Sequence, residues 1–127
     1  MPATSPEALY ELWVAGVNRG DLDGLTTLYE PEAAFVVRPG ETVTGLAAVR
    51  EATAGLLALR PRATLAPLVV VRAGDLALLI SRWSLTGTGP DGTAVEVGGR
   101  TSDVALRQGD GTWRFAIDNP WGDAAAP

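Results

Sequence analysis

The first part of the chain carries apolar residues at helical spacing. Ser5 is a favourable N-cap, Pro6 fits a first helical turn, and Gly20 is a typical stop. The side chains between them that recur every three or four positions are Leu9, Leu12, Trp13 and Val17. This period predicts an amphipathic helix.

Two further helices are predicted before the middle of the chain. Asp21 can cap a short helix that runs through Tyr29 and ends at Pro31. Residues 33–40 predict a short strand closed by a turn. Thr44 can cap a third helix, whose apolar positions include Leu46, Val49, Leu56 and Leu57.

After residue 61 the pattern changes to apolar and β-branched runs separated by short turns. The predicted strands are 62–72, 76–87, 93–107 and 112–119. Helices followed by antiparallel strands predict an α+β fold, with the helices packed on one face of a curved, mostly antiparallel sheet. At 127 residues, a single domain spanning 1–127 is expected.

The composition restricts the available chemistry. The chain has no Cys, no His and no Lys, and its ten basic residues are all Arg. This excludes thiolate, imidazole and Schiff-base catalysis, so we expect carboxylate acid/base chemistry with no metal and no cofactor. A net charge of −5 argues against nucleic acid as a partner. No apolar run approaches the length of a membrane span, so a cytoplasmic protein is expected.

Three segments resemble one known superfamily. Residues 15–35, 38–40 and 110–121 are similar to nuclear-transport-factor-2-like proteins, and nearest to the SnoaL-like group of small bacterial proteins. This resemblance implies a cone-shaped α+β barrel, usually a homodimer, that encloses a pocket between the helices and the sheet. Such pockets host isomerases, polyketide cyclases, dehydratases, epoxide hydrolases and pure ligand binders, so the fold leaves the function open.

The catalytic patterns of two family branches match only in part. The steroid isomerases have a tyrosine, an Asp that acts as the general base, and a later protonated Asp. At the matching positions this chain has Trp13, Arg38 and Asp103. Isomerisation by that mechanism is therefore not expected. The limonene-epoxide-hydrolase type uses one Arg and two Asp. Arg82 and Asp118 match two of these positions, but Ser84 replaces the second Asp.

Two aspartates in apolar strands are the leading catalytic candidates. Asp118 either caps the following turn or borders a pocket. Strand alternation places it on the face of Ala116, opposite Phe115. Asp103 lies inside a predicted strand, where Asp is rare, and it either faces solvent or the same pocket. If the two carboxylates are neighbours, one is pushed towards protonation.

Two arginines have alternative interpretations. Arg82 shares a strand face with Ser84, and it is either an exposed residue or a partner that orients Asp118. Arg38 either lies at the pocket mouth, where it would select an acidic ligand, or is a solvated turn residue. The second interpretation of Arg38 is favoured.

The leading hypothesis is a small-molecule enzyme for a largely apolar, oxygenated ligand, of the isomerase, cyclase, dehydratase or epoxide hydrolase type. Its predicted catalytic residues are Asp118, Asp103 and Arg82. Its predicted ligand-binding residues are Trp13, Tyr29, Phe35, Arg38, Ser84, Asn119 and Trp121. The alternative is a non-catalytic binding or accessory protein with the same pocket. A homodimer is expected, also because residues 76–80 are apolar on both strand faces.

Overall fold

A computed structural model, which describes residues 2–124, has three helices and seven strands. The helices are α1 Pro6–Arg19, α2 Leu22–Thr26 and α3 Leu46–Leu57. The strands are β1 Tyr29–Arg38, β2 Glu41–Thr44, β3 Arg62–Ala73, β4 Leu76–Thr88, β5 Ala94–Arg100, β6 Asp103–Arg107 and β7 Trp113–Asp118. The predicted α+β class is confirmed.

The first two helices begin and end at the predicted local signals. The Ser5 hydroxyl accepts a hydrogen bond from the backbone N–H of Ala8 at 3.1 Å, and Gly20 closes α1 with φ of 69°. The Asp21 carboxylate caps α2 by accepting from the N–H of Gly24 at 2.9 Å. No helix within residues 2–124 combines the length and the apolar character needed to cross a membrane.

Two helix boundaries differ from the prediction. The predicted helix through Tyr29 to Pro31 is wrong, because α2 ends at Thr26 and Tyr29 begins β1. The backbone of Tyr29 pairs there with Phe115 of the parallel strand β7, a distant contact that local spacing does not reveal. Thr44 does not cap α3 either. Gly45 occupies the N-cap position instead, so no side chain caps the start of α3.

The strands form one sheet in the order β2-β1-β7-β6-β4-β3, with β5 also paired to β4. All pairs are antiparallel except β1 with β7. Within residues 2–124 the two ends of this curved sheet do not hydrogen-bond to each other, so the expected barrel is open. Helix α1 packs against β3 and β7, and α3 packs against β1, so the helices cover one face of the sheet.

The predicted strand 93–107 is divided into β5 and β6 by Thr101 and Ser102. Both halves pair with β4 in the same register, so the interruption is local. The Thr101 N–H donates to the carbonyl of Ser81 at 2.8 Å, and the Ser81 N–H donates to the Thr101 hydroxyl at 3.0 Å. Thr101 therefore keeps its position on the sheet, with its hydroxyl on the buried face.

Alternation along β4 separates an inner face from an outer face. Its inner side chains are buried, namely Ala77, Leu79, Ser81, Trp83 and Leu85. They pack with the apolar stripe of α1 and with α2 and α3, through residues such as Leu9, Val17, Leu25 and Val49. Each large apolar side chain buried here contributes roughly 1.5–3 kcal/mol to stability. The outer face is exposed to solvent.

Candidate functional site

A cavity of about 460 Å³ lies between the helices and the inner face of the sheet. Its walls are mainly apolar and aromatic, and include Trp13, Phe35, Leu56, Trp83, Phe115 and Trp121. A small polar group lines one part of the wall, namely Tyr10, Tyr29, Thr101, Asp103 and Asp118. A mainly apolar, aromatic cavity with a few converging polar groups is typical of a small-molecule site.

The two aspartates are buried at the ends of adjacent strands. Asp103 begins β6 and is 1% exposed, whereas Asp118 ends β7 and is 8% exposed. Val104 pairs with Ile117 in the antiparallel ladder of these strands. Continuing that register by one residue places Asp103 opposite Asp118, where side chains are neighbours. The cavity therefore contains a carboxyl pair.

A bulge in β7 turns Asp118 towards the cavity. Strict alternation places Asp118 and Phe115 on opposite faces, but both side chains are buried. Phe115 and Ile117 pair with consecutive residues of β6, which leaves Ala116 as one extra residue in β7. The predicted strand face of Asp118 is therefore wrong, because the bulge shifts the alternation before the strand ends.

Each carboxyl group accepts a hydrogen bond from a tyrosine. The Tyr10 hydroxyl donates to Oδ2 of Asp103 at 2.5 Å, and the Tyr29 hydroxyl donates to Oδ2 of Asp118 at 2.5 Å. Burial, and then the neighbouring carboxylate, raise the pKa of both phenols well above the ordinary value. Both tyrosines therefore remain protonated donors across the physiological range.

Asp103 has more donors than Asp118. Besides Tyr10, the backbone N–H of Asn119 donates to Oδ1 of Asp103 at 2.9 Å. The Thr101 hydroxyl contacts the Tyr10 oxygen at 3.1 Å and extends this network to Ser81. Among the residues that the structure describes, the donor to Asp118 is Tyr29. The ionised form is therefore better stabilised at Asp103 than at Asp118.

The carboxyl pair holds a proton at neutral pH. Burial raises the pKa of Asp103 to about 6, although the hydrogen bonds from Tyr10 and Asn119 oppose this rise. Burial and the charge of Asp103 raise the pKa of Asp118 to about 8. The two groups titrate as a coupled pair, so between these values the pair retains one proton.

The structure places Arg82 and Ser84 away from the carboxyl pair. Both are exposed on the outer face of β4, because Trp83 between them points inwards. The Ser84 hydroxyl is instead within 2.7 Å of the Thr64 hydroxyl. The structure therefore does not bring Arg82 to Asp118, and Ser84 does not line the cavity.

Most of the other predicted ligand-binding residues lie in the wall of the cavity. Trp13, Tyr29, Phe35 and Trp121 line the cavity. Arg38 also contributes to the lining, but it is largely exposed, and its guanidinium forms an ion pair with Glu41 at 3.1 Å.

Asn119 lies beside the cavity wall without lining it. Its side-chain N–H group donates to the Ser102 hydroxyl at 2.9 Å and to the Gly122 carbonyl at 2.7 Å. The amide therefore holds the turn after β7 together, and the predicted contact between this side chain and a ligand is not supported. The contribution of Asn119 to the site is its backbone N–H, which donates to Asp103.

Sequence reasoning missed Tyr10 and Thr101. Tyr10 lies one helical turn before Trp13, on the buried side of α1, and a buried phenol needs an acceptor. Thr101 precedes Asp103 by two residues, which is the spacing of side chains on one strand face. These two local signals were available, but their partner, Asp103, lies 93 residues from Tyr10 in the chain.

Solved structures with the same fold come from several bacteria. A Salmonella enterica protein of the nuclear transport factor 2 superfamily is 20% identical, with a TM-score of 0.80, covering 94% of this chain and 89% of that chain. A ketosteroid isomerase-like protein from Erwinia carotovora is 18% identical, with a TM-score of 0.76 and 88% of each chain covered. A Mycobacterium tuberculosis protein of unknown function is 27% identical, with a TM-score of 0.74, covering 88% of this chain and 70% of that chain.

The family relationship also appears in the sequence itself. No curated protein is significantly similar to this chain in sequence. The profile of the SnoaL-like domain, however, matches residues 10–119, which include both aspartates and both tyrosines of the site. The chain therefore belongs to the SnoaL-like domain family and has the nuclear-transport-factor-2-like fold.

Proposed function

We propose that this protein is a cofactor-independent enzyme that transfers protons on a largely apolar, oxygen-bearing small molecule. The observation that carries the proposal is the buried pair of Asp103 and Asp118 in the wall of an aromatic cavity of about 460 Å³. Two carboxyl groups that share one proton provide an acid and a base from the same residue type. A protein with the same fold is described as ketosteroid isomerase-like, which is consistent with this chemistry.

The two aspartates have different roles in this proposal. Asp118 is the more accessible of the two, so it is the group that meets the ligand. Asp103 is held by Tyr10 and by the Asn119 N–H, and its charge keeps the proton on Asp118. Asp118 is therefore the residue that exchanges protons with the ligand, and Asp103 is the partner that shares the proton of the pair.

Isomerisation and dehydration both return the carboxyl pair to its starting protonation state. In an isomerisation, a proton first moves from Asp118 to Asp103. The ionised Asp118 then removes a proton from a carbon next to a carbonyl group and returns it at another carbon. In a dehydration, protonated Asp118 gives its proton to the leaving hydroxyl group. It then takes up the proton lost from the neighbouring carbon, so the substrate loses one water molecule and the enzyme is unchanged.

The position of Arg82 disfavours epoxide hydrolysis by the arginine–aspartate pattern. That pattern needs a guanidinium beside the carboxylates, and Arg82 is exposed on the opposite face of the sheet. Isomerisation, cyclisation and dehydration need a proton donor and a proton acceptor, and the carboxyl pair supplies both. We therefore place the reaction among these three.

A non-catalytic ligand carrier is the second candidate. Arg38 is found where the steroid-isomerase pattern has its general base. Among residues 2–124, the acidic residues that line the cavity are Asp103 and Asp118 alone. A protonated Asp118 beside the Tyr29 hydroxyl would also recognise a ligand oxygen without reacting. This candidate predicts binding without conversion.

Proton exchange in heavy water separates the two candidates. Apolar ketones, β,γ-unsaturated ketones and β-hydroxy ketones are incubated with the protein in deuterium oxide, and deuterium incorporation, isomers and dehydration products are measured by mass spectrometry. We expect Asp118→Asn to lower turnover by about 10²–10⁴-fold. Asp123→Asn makes the same chemical change at an exposed position and should leave turnover unchanged. Full turnover in Asp118→Asn would refute the assignment, and saturable binding without any conversion would favour the carrier.

A further inference from the structure

A second concavity, of about 450 Å³, lies on the outer face of the sheet. It crosses β3, β4 and β5 and is separated from the inner cavity by the sheet itself. We call it the outer groove, and the residues that line it include Thr64, Ala66, Arg82, Ser84, Gly99 and Arg100. Nothing in the proposed proton-transfer chemistry uses these residues.

The strand register arranges the outer groove as two rows of exposed residues. One row contains Ala66, Arg82 and Arg100, and the next contains Thr64, Ser84 and Gly98. Neighbours within a row are about 4.8 Å apart, and the rows are separated by about 7 Å. Ala66 and Gly98, which are small, occupy opposite corners of this arrangement.

Arg82 and Arg100 are directly opposite each other on β4 and β5. Like charges in this position repel and destabilise a sheet. The ion pairs among residues 2–124 engage five other arginines, namely Arg19, Arg38, Arg50, Arg72 and Arg107. The two groove arginines therefore face each other with no carboxylate of the described chain between them, although the protein has a net charge of −5.

The neighbouring row adds a hydrogen-bond donor. The hydroxyl groups of Thr64 and Ser84 are 2.7 Å apart, so one of them donates to the other. The hydrogen of the second hydroxyl remains available to a further acceptor. The polar side chains of the groove thus present two cations and a hydroxyl donor, and none of them is an acid.

We propose that the outer groove binds a small dianion, either a phosphate group or a dicarboxylate, between Arg82 and Arg100 and against the Thr64–Ser84 hydroxyl pair. A guanidinium donates two parallel N–H groups to the oxygens of a carboxylate or a phosphate. Two opposed guanidinium groups match a charge of −2 and relieve their mutual repulsion when the anion is bound. A nucleic acid is a poorer occupant because this basic area is small and the chain is acidic.

Titration with inorganic phosphate and, separately, with malonate tests this proposal. Binding to the full chain is measured at pH 7.5 by isothermal titration calorimetry and by backbone amide shifts in NMR. We expect saturable binding of at least one anion, and the shifts should centre on the outer groove. In Arg82→Gln/Arg100→Gln, affinity should fall by about 10-fold or more, since the charge-assisted hydrogen bonds from both guanidinium groups are lost. The single variants Arg82→Gln and Arg100→Gln provide the same test if the double variant does not fold.

Arg62→Gln is the matched control. Arg62 is exposed on the same sheet face but two rows away, opposite Thr86, so its loss changes the net charge equally. We expect its affinity to stay within about twofold of wild type, because an exposed charge that far away is screened.

Three results would overturn the proposal: no saturable binding of either anion, an equal loss in Arg62→Gln, or shifts confined to another surface. If neither anion binds and Arg82→Gln/Arg100→Gln instead changes the molar mass in light scattering, the arginines belong to an interface between copies of this chain. Because the outer groove and the inner cavity are tested with different variants, either proposal can fail without the other.

Discussion

The carboxyl group of Asp118 is buried at the end of an apolar strand, and the proposed chemistry depends on that burial. A charged carboxylate at the end of an apolar strand is costly to bury. The structure meets this cost by pairing Asp118 with Asp103 and with the Tyr29 hydroxyl, so that one proton is retained. The burial that makes Asp118 unfavourable as an anion also makes it a competent acid near neutral pH.

Removing the Tyr10 hydroxyl should weaken the preference for charge on Asp103. In Tyr10→Phe the ionised form of Asp103 loses a donor, so the pKa of Asp103 should rise further. In Tyr29→Phe the pKa that rises should instead be that of Asp118. Carbon-13 NMR of labelled Asp carboxyl groups measures both values. An unchanged Asp103 pKa in Tyr10→Phe would show that this hydrogen bond does not control the pair.

The carboxyl pair should also make stability depend on pH in a particular direction. Folding raises the pKa of Asp118 from about 3.8 to about 8, so the folded state binds more protons than the unfolded state between these values. The contribution of Asp118 to the free energy of unfolding is therefore largest below about pH 4. It falls as pH rises to about 8, by up to roughly 1.4 kcal/mol per pH unit.

Urea denaturation of wild type and Asp118→Asn at pH 5 and pH 8 measures this contribution. The stability of the wild type relative to Asp118→Asn should be greater at pH 5 than at pH 8. Asp123→Asn, at an exposed position, should follow the wild type at both pH values. A difference between wild type and Asp118→Asn that does not change with pH would contradict the raised pKa.

At the scale of single residues, the sequence predicted that both aspartates border a pocket, because acids are unusual in apolar strands. Both aspartates line the cavity. The prediction failed for the strand face of Asp118, since a one-residue bulge at Ala116 depends on pairing with β6 and leaves no clear local signal. The sequence did not show which way Arg82 points, because alternation defines two strand faces without saying which one is inside. The side chain of Trp83 settled that choice by packing inwards.

At the scale of elements, local chemistry predicted helix starts better than strand limits. Ser5 and Asp21 cap their helices as predicted, because a cap acts within one turn of the chain. The start of β1 and the division between β5 and β6 depend instead on partners far away in sequence. Those partners are known only once the sheet is assembled.

The turn that follows β7 supports the site through Gly122. This glycine has φ of 62°, and a Cβ at its position would lie 2.5 Å from the carbonyl oxygen of Arg100. Gly122→Ala should therefore lower the free energy of unfolding by at least about 1–2 kcal/mol. Gly109→Ala is the matched control, because Gly109 has no positive φ and a Cβ added there would have no atom within 4 Å.

We expect Gly109→Ala to change stability by less than about 0.5 kcal/mol. Chemical denaturation of both variants measures the difference. If Gly122→Ala were as stable as Gly109→Ala, the turn would not be held in the conformation described. The packing of Asn119 beside Asp103 would then need another explanation.

At the scale of the whole molecule, the outer sheet face carries a second, apolar feature beside the outer groove. Val71, Leu76, Leu78 and Ile117 are 53%, 46%, 42% and 41% exposed. Val71 is opposite Leu78, which is joined through Val104 to Ile117 across the sheet. We call this set the apolar outer patch. It offers a surface for the homodimer that the family resemblance implies, which remains a prediction.

Light scattering at micromolar concentration measures the predicted dimer. We expect twice the chain mass for wild type and a monomer for Leu78→Arg, because a charge at the centre of the apolar outer patch opposes its burial. Ala47→Arg introduces the same side chain on the exposed surface of α3 and should leave the dimer intact. A wild-type monomer would refute the prediction, and a dimer that persists in Leu78→Arg would place the interface elsewhere.

The central claim is that Asp118 and Asp103 share one proton in the cavity at neutral pH, and carbon-13 NMR titration of labelled Asp carboxyl groups tests it most directly. In wild type we expect two carboxyl signals with raised pKa values, one of about 6 and one of about 8. In Asp118→Asn the signal with the higher pKa should be lost. If every Asp carboxyl titrates near the ordinary value of about 4, the pair holds no proton at neutral pH, and the proposed proton-transfer site is contradicted.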